Sequence, residues 1–230
     1  MKHTLLGNRL LSCAQFVRQG ACFADIGTDH AYLPLFLLKS GRIDRAVCAD
    51  INAGPLESAK RNAADEGCLD KISFHLTDGA EGLSSLGITD YAICGMGGEL
   101  ISAIISRAPH LACSGVRLIL QPMTKQAHLR RFLAESGFFT VGESYSYEAG
   151  KYYLSIAVEF DGVRREISDF EAELGTFQNS PEAIGYFETK INALKKSMRG
   201  KTLSGEAADY ERRIIDEYNS IHGGLNNDGK

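Results

Sequence analysis

The sequence predicts an α/β fold, in which a doubly wound and mostly parallel sheet with an antiparallel last strand is followed by C-terminal helices. Three observations predict it. Apolar, strand-like runs alternate five times with helix-like segments, which is typical of a parallel sheet covered on both faces. Two more strand-like runs then follow with no helix-length segment between them, so they must form an antiparallel hairpin. After Asp161 and Gly162 the pattern becomes polar and helical.

The strands are recognised as short apolar runs bounded by glycine, proline or acidic residues. They are predicted over residues 22–27, 45–51, 72–78, 91–96 and 117–121, and the hairpin strands over residues 138–145 and 152–160. Pro122 is expected to close the fifth strand, because proline cannot donate to the ladder.

The helices are recognised from apolar residues at helical spacing and from their end signals. An amphipathic helix over residues 5–18 precedes the first strand, and Gly20 ends it. The others are predicted over residues 32–40, 54–66, 99–106 and 125–136. Pro55 lies in a first turn, where its missing N–H costs nothing, and Gly41, Gly67 and Gly137 follow helix ends.

The C-terminal segment predicts an antiparallel, coiled-coil-like helical hairpin. Ser180 is an N-cap before Pro181. Apolar residues then recur at spacings of three and four, namely Ile184, Phe187, Ile191, Leu194 and Met198, and after Gly200 again as Leu203, Ala207, Tyr210, Ile214 and Ile221. Because each helix is short, we expect the sheet or a partner to bury this seam. Two domains follow, residues 1–162 and residues 163–230, the second with a disordered tail from Gly223.

Composition and charge restrict the class of protein. The 230 residues are 44% hydrophobic and 23% charged, as in globular proteins. The net charge of −4 gives no overall attraction to nucleic acid, so RNA binding has to use local basic patches. No apolar run approaches the ~18 residues of a membrane helix, and no signal-peptide core is present, so we expect a cytoplasmic protein with no membrane contact. The six cysteines form no C-x-x-C pair, and we expect no metal.

The turn after the first strand, within residues 23–34, is expected to bind a cofactor. A dinucleotide turn reads G-x-G-x-x-G because bare backbone amides must contact a pyrophosphate. Here Asp29 replaces the second glycine after Gly27, and its carboxylate would repel phosphates. S-adenosylmethionine carries a sulfonium and an ammonium group, so Asp25 and Asp29 suit it. The turn therefore predicts a class I, Rossmann-like methyltransferase domain.

The second and third strand ends supply further expected cofactor contacts. Asp50, followed by Ile51, lies 23 residues after Gly27, where an acid can accept hydrogen bonds from a ribose diol. The alternative is a turn or N-cap aspartate. Asp78 and Gly79 end the third strand, where an acid can accept from an adenine amine, although Asp-Gly turns are common.

The fourth and fifth strand ends and His30 complete the candidate set. The run Gly95, Met96, Gly97 and Gly98 is expected to expose backbone beside the cofactor, since a packing turn hardly needs three glycines. The amide of Gln121, before Pro122, either lines a target-base pocket or belongs to a simple strand end. His30 is either a general base or a histidine that hydrogen-bonds the backbone.

These residues resemble the TrmK family, bacterial tRNA (adenine-N1)-methyltransferases that modify position 22. The matching segments are residues 9–10, 24–34, 54–55, 58–61, 78–79, 95–98, 100–101 and 117–122. The family also has a C-terminal helical domain, like the one predicted here. Its pattern has Glu at the end of the second strand and Asn after Gln-Pro, whereas this chain has Asp50 and Met123. Aspartate keeps the diol acceptor, and no pocket role is carried over to Met123.

The resemblance implies methyl transfer from S-adenosylmethionine to N1 of an adenine in tRNA. Asp29 is the candidate catalytic residue, because a carboxylate can stabilise the cationic product ring or accept an N6 proton. The expected substrate contacts are Arg9, Tyr32, Gln121 and Pro122, with Lys195, Lys196, Arg199 and Lys201 at the tip of the helical hairpin. Lys2, Arg18, Lys125, Arg130 and Arg131 are further candidates for phosphate contacts.

Two alternatives remain open from the sequence. The same fold also serves methyltransferases of small molecules, although a basic helical arm favours RNA. The chain can also be a cofactor-binding and tRNA-binding module without turnover. We expect a monomer or a weak homodimer.

Overall fold

A computed structural model describes residues 6–225 of the chain and the side chains of residues 6–221. Seven strands form one sheet in the order β3-β2-β1-β4-β5-β7-β6. They are β1 (Phe23–Ile26), β2 (Ala46–Asp50), β3 (Ile72–Leu76), β4 (Asp90–Gly97), β5 (Arg117–Thr124), β6 (Phe138–Glu148) and β7 (Lys151–Phe160). Strand β7 runs antiparallel to both of its neighbours, and β1 to β5 are parallel. The predicted fold class is confirmed.

Eight α-helices accompany the sheet in the described part of the chain. They are α1 (Asn8–Ala14), α2 (Tyr32–Lys39), α3 (Ala53–Asp65), α4 (Gly98–Arg107), α5 (Gln126–Glu135), α6 (Asp169–Leu174), α7 (Pro181–Ser204) and α8 (Asp209–Leu225). None of the helices within residues 6–225 is long and apolar enough to cross a membrane.

Successive residues of β1 point to opposite faces of the sheet, so each face has its own core. Phe23 packs with residues of α1, α2 and α3, including Leu33 and Ala59. Ala24 and Ile26 join a second core beneath α4, α5 and the C-terminal helices. The sheet therefore holds its carboxyl edge rigidly between two packed layers.

Strand β5 continues through Pro122, which was expected to close it. Its pairing with β7 covers only Arg117 to Leu120, and its register with β4 shifts where Met96 lies opposite Pro122. The proline thus lies where the ladder is already irregular, and its missing N–H costs little there.

In the described part of the chain, the C-terminal helices pack on the sheet and share its core. Phe187 and Ile191 of α7 and Ile214 and Tyr218 of α8 belong to the same buried cluster as the central strands. At Gly185, a Cβ would overlap the ring of Tyr152, so α7 lies directly on the β6–β7 hairpin. The sheet therefore buries the apolar stripe of α7 and α8, as expected for such short helices.

The predicted break at Gly200 is wrong. Helix α7 runs through Gly200 to Ser204 and ends at Gly205, whose φ is +77°. Leu203, near the end of α7, is consequently 90% exposed, and the next buried apolar residue is Ala208, directly before α8. The apolar spacing alone did not reveal where the turn lies.

Three other segments differ from the sequence prediction or lie outside the described residues. Helix α6 was missed, although Ser168 and Glu171 form a capping box whose S-x-x-E signal is visible in the sequence. Helix α8 extends to Leu225, into the tail expected to be disordered from Gly223. Residues 226–230 lie outside the described part of the chain, as do Lys2 and the start of the first predicted helix.

Candidate active site

A cavity of about 660 Å³ opens at the carboxyl edge of β1 to β4, which is a typical size for a small-molecule site. The chain passes from β3, on one side of β1, to β4 on the other, and ligands bind at such a reversal of strand order. Most predicted cofactor residues line the cavity, namely Asp25, Gly27, Asp29, His30, Asp50, Ile51, Asp78, Gly79, Gly95 and Met96. Arg9 and Tyr32, predicted as substrate contacts, line it too.

The β1–α2 turn forms the floor of the cavity. Asp25 is buried and accepts a hydrogen bond of 2.6 Å from Thr28 Oγ1. Burial raises the pKa of Asp25 to about 6, and the bond from Thr28 opposes this rise. Gly27 has a φ of +75°, which favours glycine, and a Cβ there would also meet Met96 Cε at the end of that side chain.

The carboxylates after β2 and β3 already have partners within the chain. Asp50 Oδ1 accepts a 2.8 Å hydrogen bond from the N–H of Asn52, which is the turn role weighed as its alternative. Asp78 Oδ1 accepts a 2.8 Å hydrogen bond from Arg107 of α4. Each carboxylate uses its Oδ1 in these contacts, so a ligand role is compatible with them.

Of the four residues Gly95 to Gly98, the first two line the cavity and the last two pack closely against neighbouring residues. Gly95, with a φ of +77°, lines the cavity together with Met96. A Cβ on Gly97 would lie 3.1 Å from Thr124 Oγ1, and one on Gly98 would overlap the carbonyl oxygen of Lys125. The prediction that packing hardly explains three glycines therefore needs correction. Gly97 packs against β5, outside the lining of the cavity.

Asp29, His30 and Tyr32 lie at the mouth of the cavity. The Asp29 side chain is 77% exposed and lies 3.4 Å from His30 Nε2. The His30 ring stacks on the Tyr32 ring, with centroids 5.1 Å apart and planes inclined by 28°. The carbonyl of His30 accepts a bond from Asn62 Nδ2, so its backbone is held as well. The mouth thus offers a carboxylate beside an aromatic surface.

Gln121 lies behind the cavity and binds two of the residues that line it. It is fully buried, and its Oε1 accepts from Arg9 Nη1 at 2.8 Å and from the N–H of Gly95 at 3.1 Å. Neither Gln121 nor Pro122 lines the cavity. Their place in a target-base pocket therefore stays a prediction, while the amide oxygen of Gln121 holds Arg9 and β4.

Several cations predicted to contact phosphate are bound within the chain instead. Arg18 pairs with Asp90, Arg130 with Glu143, Arg131 with Asp169, and Lys201 with Glu211. Lys125 lies 3.8 Å from Glu99, and both are exposed. The expected cluster at the hairpin tip does not form, because Lys195, Lys196, Arg199 and Lys201 lie along α7 before its end. Lys196 and Arg199 are exposed, Lys195 is half-buried, and Lys201 faces α8.

The apolar walls of the cavity were missed from the sequence. Leu100 and Ile104 of α4 line it, as do Leu10 and Cys94. The spacing of four between Leu100 and Ile104 puts both on one face of α4, and that signal was available in the sequence. In the described residues, no group of three or more His, Cys, Asp or Glu side chains is arranged to hold a metal ion.

Comparison with known proteins identifies the family. Residues 6–156, more than half of the chain, match a family described as a methyltransferase domain. The tRNA (adenine(22)-N(1))-methyltransferase of Bacillus subtilis is 34% identical over 159 residues, which cover 69% of this chain and 67% of the relative. The chain belongs to the TrmK family. Its fold, its cavity and its glycine-rich strand ends are thus those of a methyltransferase domain.

Two solved structures of TrmK-like proteins extend the similarity beyond the methyltransferase domain. A Streptococcus pneumoniae protein, assigned as a tRNA (m1A22) methyltransferase and solved with S-adenosyl-L-methionine, has 31% identity and a TM-score of 0.80. The match covers 92% of this chain and 100% of that chain. TrmK of M. capricolum, solved with S-adenosyl-homocysteine, has 27% identity and a TM-score of 0.76, over 92% of this chain and 98% of that chain. The similarity therefore includes the C-terminal helices.

Proposed function

We propose that this chain transfers the methyl group of S-adenosylmethionine to N1 of adenine 22 in tRNA. The observation that carries the proposal is the cavity at the carboxyl edge of β1 to β4, in a chain of the TrmK family. The B. subtilis relative has this activity in its name, and two similar proteins were solved with the cofactor or its product.

The residues of the cavity fit S-adenosylmethionine. Asp50 and Asp78 offer carboxylate oxygens for the ribose hydroxyls and the adenine amine, beside the apolar side chains of Ile51 and Leu100. Asp25 is a buried acid that suits the ammonium group. We propose as cofactor contacts Asp25, Gly27, Asp29, His30, Asp50, Ile51, Asp78, Gly79, Gly95 and Met96.

The main task of the protein in this reaction is to position the cofactor methyl group and the adenine N1. The bound cofactor supplies an electrophilic methyl group, and N1 of neutral adenine has a lone pair that can attack it. Holding nitrogen, carbon and sulfur in line provides most of the rate enhancement. The stacked rings of His30 and Tyr32 offer a flat surface for an adenine that has left its helix. Asp29, beside them, can stabilise the positive charge of the methylated ring.

Binding of tRNA would use cations on α7 that the fold leaves unpaired. Lys195, Lys196 and Arg199 have no ion-pair partner within the described part of the chain, which leaves them free to contact phosphate. We propose that the chain acts in the cytoplasm, where its tRNA substrate is found, as a monomer or a weak homodimer. In this proposal residues 1–162 carry the chemistry, and residues 163–230 extend the RNA-binding surface.

Methyl transfer to unmodified tRNA tests the proposal. The protein is incubated with S-adenosylmethionine carrying a labelled methyl group and with tRNA transcripts, and the labelled nucleotide is mapped by mass spectrometry. We expect 1-methyladenosine at position 22. Label only in a small metabolite would favour the small-molecule alternative, and no label with both ligands bound would favour a non-catalytic module.

Replacing Asp29 by Ala tests the catalytic role. At saturating cofactor we expect kcat to fall by roughly 100-fold, because the carboxylate near the reacting ring is lost. The matched control is Asp44→Asn, since Asp44 is an exposed acid outside the cavity, and we expect it to leave kcat unchanged. Full turnover of Asp29→Ala with cofactor bound would remove Asp29 from the chemistry.

A further inference from the structure

The charges that line the cavity are unequally distributed. Four lining residues carry carboxylates, namely Asp25, Asp29, Asp50 and Asp78. Among the described lining residues, Arg9 is the one lysine or arginine. S-adenosylmethionine has two cationic groups and a single carboxylate, so the acids match its cations and Arg9 is left to match its anion.

The guanidinium of Arg9 is held in place without being neutralised. Gln121 Oε1, a neutral acceptor, takes a 2.8 Å hydrogen bond from Nη1, and the Tyr153 ring lies 5.9 Å from the guanidinium carbon. Glu148 accepts from the backbone N–H of Arg9 and forms no ion pair with its side chain. Within residues 6–221 no carboxylate pairs with this guanidinium, so its remaining N–H groups can serve a ligand.

The strand order places Arg9 at one end of the cavity. Asp50 ends β2 and Asp78 follows β3, on one side of β1. Arg9 contacts Gln121 of β5 and approaches Gly95 of β4, on the other side of β1. An adenosine bound against the two acids therefore directs the amino-acid end of the cofactor toward Arg9.

We propose that Arg9 binds the α-carboxylate of the cofactor and that Gln121 is the residue that positions it. This assignment rests on the proposed function, and it replaces the tRNA phosphate as the partner of Arg9. A guanidinium and a carboxylate form two parallel charge-assisted hydrogen bonds, which give both affinity and orientation. By fixing the methionine end, Arg9 sets the direction in which the sulfonium methyl group points.

Calorimetric titration with a matched pair of ligands tests the assignment without turnover. The ligands are S-adenosylhomocysteine and S-adenosyl-3-thiopropylamine, which lacks only the carboxylate. We expect the wild-type protein to bind the first on the order of 10- to 100-fold more tightly. In Arg9→Gln this preference should shrink to about onefold, through loss of affinity for S-adenosylhomocysteine alone. Lys151→Gln, an exposed cation near the same edge of the sheet and outside the cavity lining, should keep the preference.

Gln121→Glu examines positioning separately from contact. The new carboxylate still accepts from Arg9 and from the N–H of Gly95, but it neutralises the guanidinium. We expect the carboxylate preference to fall roughly tenfold, with unchanged affinity for the ligand that lacks a carboxylate. A structural role for Gln121 alone would weaken both ligands equally and would contradict the proposal.

The remaining outcomes decide between Arg9 as a cofactor contact and Arg9 as an RNA contact. If Arg9→Gln keeps the full carboxylate preference, or weakens both ligands alike, the assignment is wrong. If it weakens tRNA binding and leaves S-adenosylhomocysteine binding intact, Arg9 contacts the RNA. If the wild-type protein binds neither ligand, the proposed function itself fails, and that result is distinct from failure of the Arg9 variant.

Discussion

Charged side chains beneath the C-terminal helices are paired with opposite charges, whereas most of the charged side chains in the cavity are not. Beneath the helices, Arg130 and Glu143 lie 2.6 Å apart with side chains 6% and 3% exposed, and Arg131 pairs with Asp169. In the cavity, Asp25, Asp29 and Asp50 have no lysine or arginine partner within residues 6–221. Charges that the fold neutralises hold its parts together, and those that it leaves unneutralised are available to a ligand.

Disrupting the ion pair of Arg130 and Glu143, the most deeply buried within residues 6–221, should give the largest effect. We expect Arg130→Met to lower the free energy of unfolding by about 3–5 kcal/mol, because the buried Glu143 loses its counter-charge. Arg130 also donates to the carbonyl of Ala172 at 2.9 Å, so α6 should loosen as well. Urea denaturation measures the loss. The double variant Arg130→Met with Glu143→Leu should recover part of it, whereas equal losses in the single and double variants would contradict the charge argument.

Asp25 has no counter-charge within residues 6–221, so we expect its negative charge to lower the stability of the fold. Its pKa is raised to about 6 by burial, from an ordinary value of 3.8. Between pH 3.8 and 6 the unfolded chain loses this proton while the folded chain keeps it, so stability falls as the pH rises. A shift of about two pKa units corresponds to about 3 kcal/mol.

Asp25→Asn removes that cost. In urea denaturation at pH 4 and pH 7 without ligand, the stability of the variant relative to wild type should rise by about 2 kcal/mol between the two pH values, because part of the cost is already present at pH 4. Asp65→Asn, at an exposed position of α3, is the matched control and should leave the pH profile unchanged. Parallel profiles for wild type and Asp25→Asn would show that the buried carboxyl group titrates normally.

The sequence predicted the positions of the acids better than the roles of the cations, and the reason is physical. Asp25 and Asp50 lie at the ends of β1 and β2 and Asp78 follows β3, so the parallel topology alone brings them to one edge of the sheet. A cation on a helix carries no such constraint. Arg130 and Arg131 have the same appearance in the sequence as Lys196, and only the packing of α5 between the sheet and α6 separates them.

For the C-terminal helices too, the sequence predicted only part of the structure. Apolar spacing predicted that α7 and α8 exist, because spacing reports which face of a helix is buried. It did not predict where α7 ends, because Gly200 can continue a helix at modest cost and Gly205 is the residue with positive φ. The role of Gln121 was missed for a related reason, since its partner Arg9 lies 112 residues away in the chain.

The lysines and arginine of α7 test whether an ion-pair partner distinguishes cations that stabilise the fold from cations that bind RNA. We expect the double variant Lys196→Gln with Arg199→Gln to reduce the slope of log K against log salt for tRNA binding by roughly 1.5. Lys201 pairs with the buried Glu211 at 2.7 Å and should behave differently. Lys201→Gln should keep the slope and lower the free energy of unfolding by about 1 kcal/mol. Equal slopes for both variants would mean that pairing does not predict RNA contact.

Asp78 is the exception in the cavity, and it should give the smallest effect. Its partner Arg107 and the carboxylate itself are 43% and 46% exposed, so the pair contributes at most about 1 kcal/mol to stability. Because Arg107 uses only Oδ1, the other oxygen can still accept from the adenine amine. We expect Arg107→Gln to change the dissociation constant of S-adenosylhomocysteine by less than about twofold, and Asp78→Asn to raise it roughly tenfold. Calorimetric titration of both variants measures this, and a tenfold loss in Arg107→Gln would make the ion pair, instead of the free oxygen, the feature that the ligand needs.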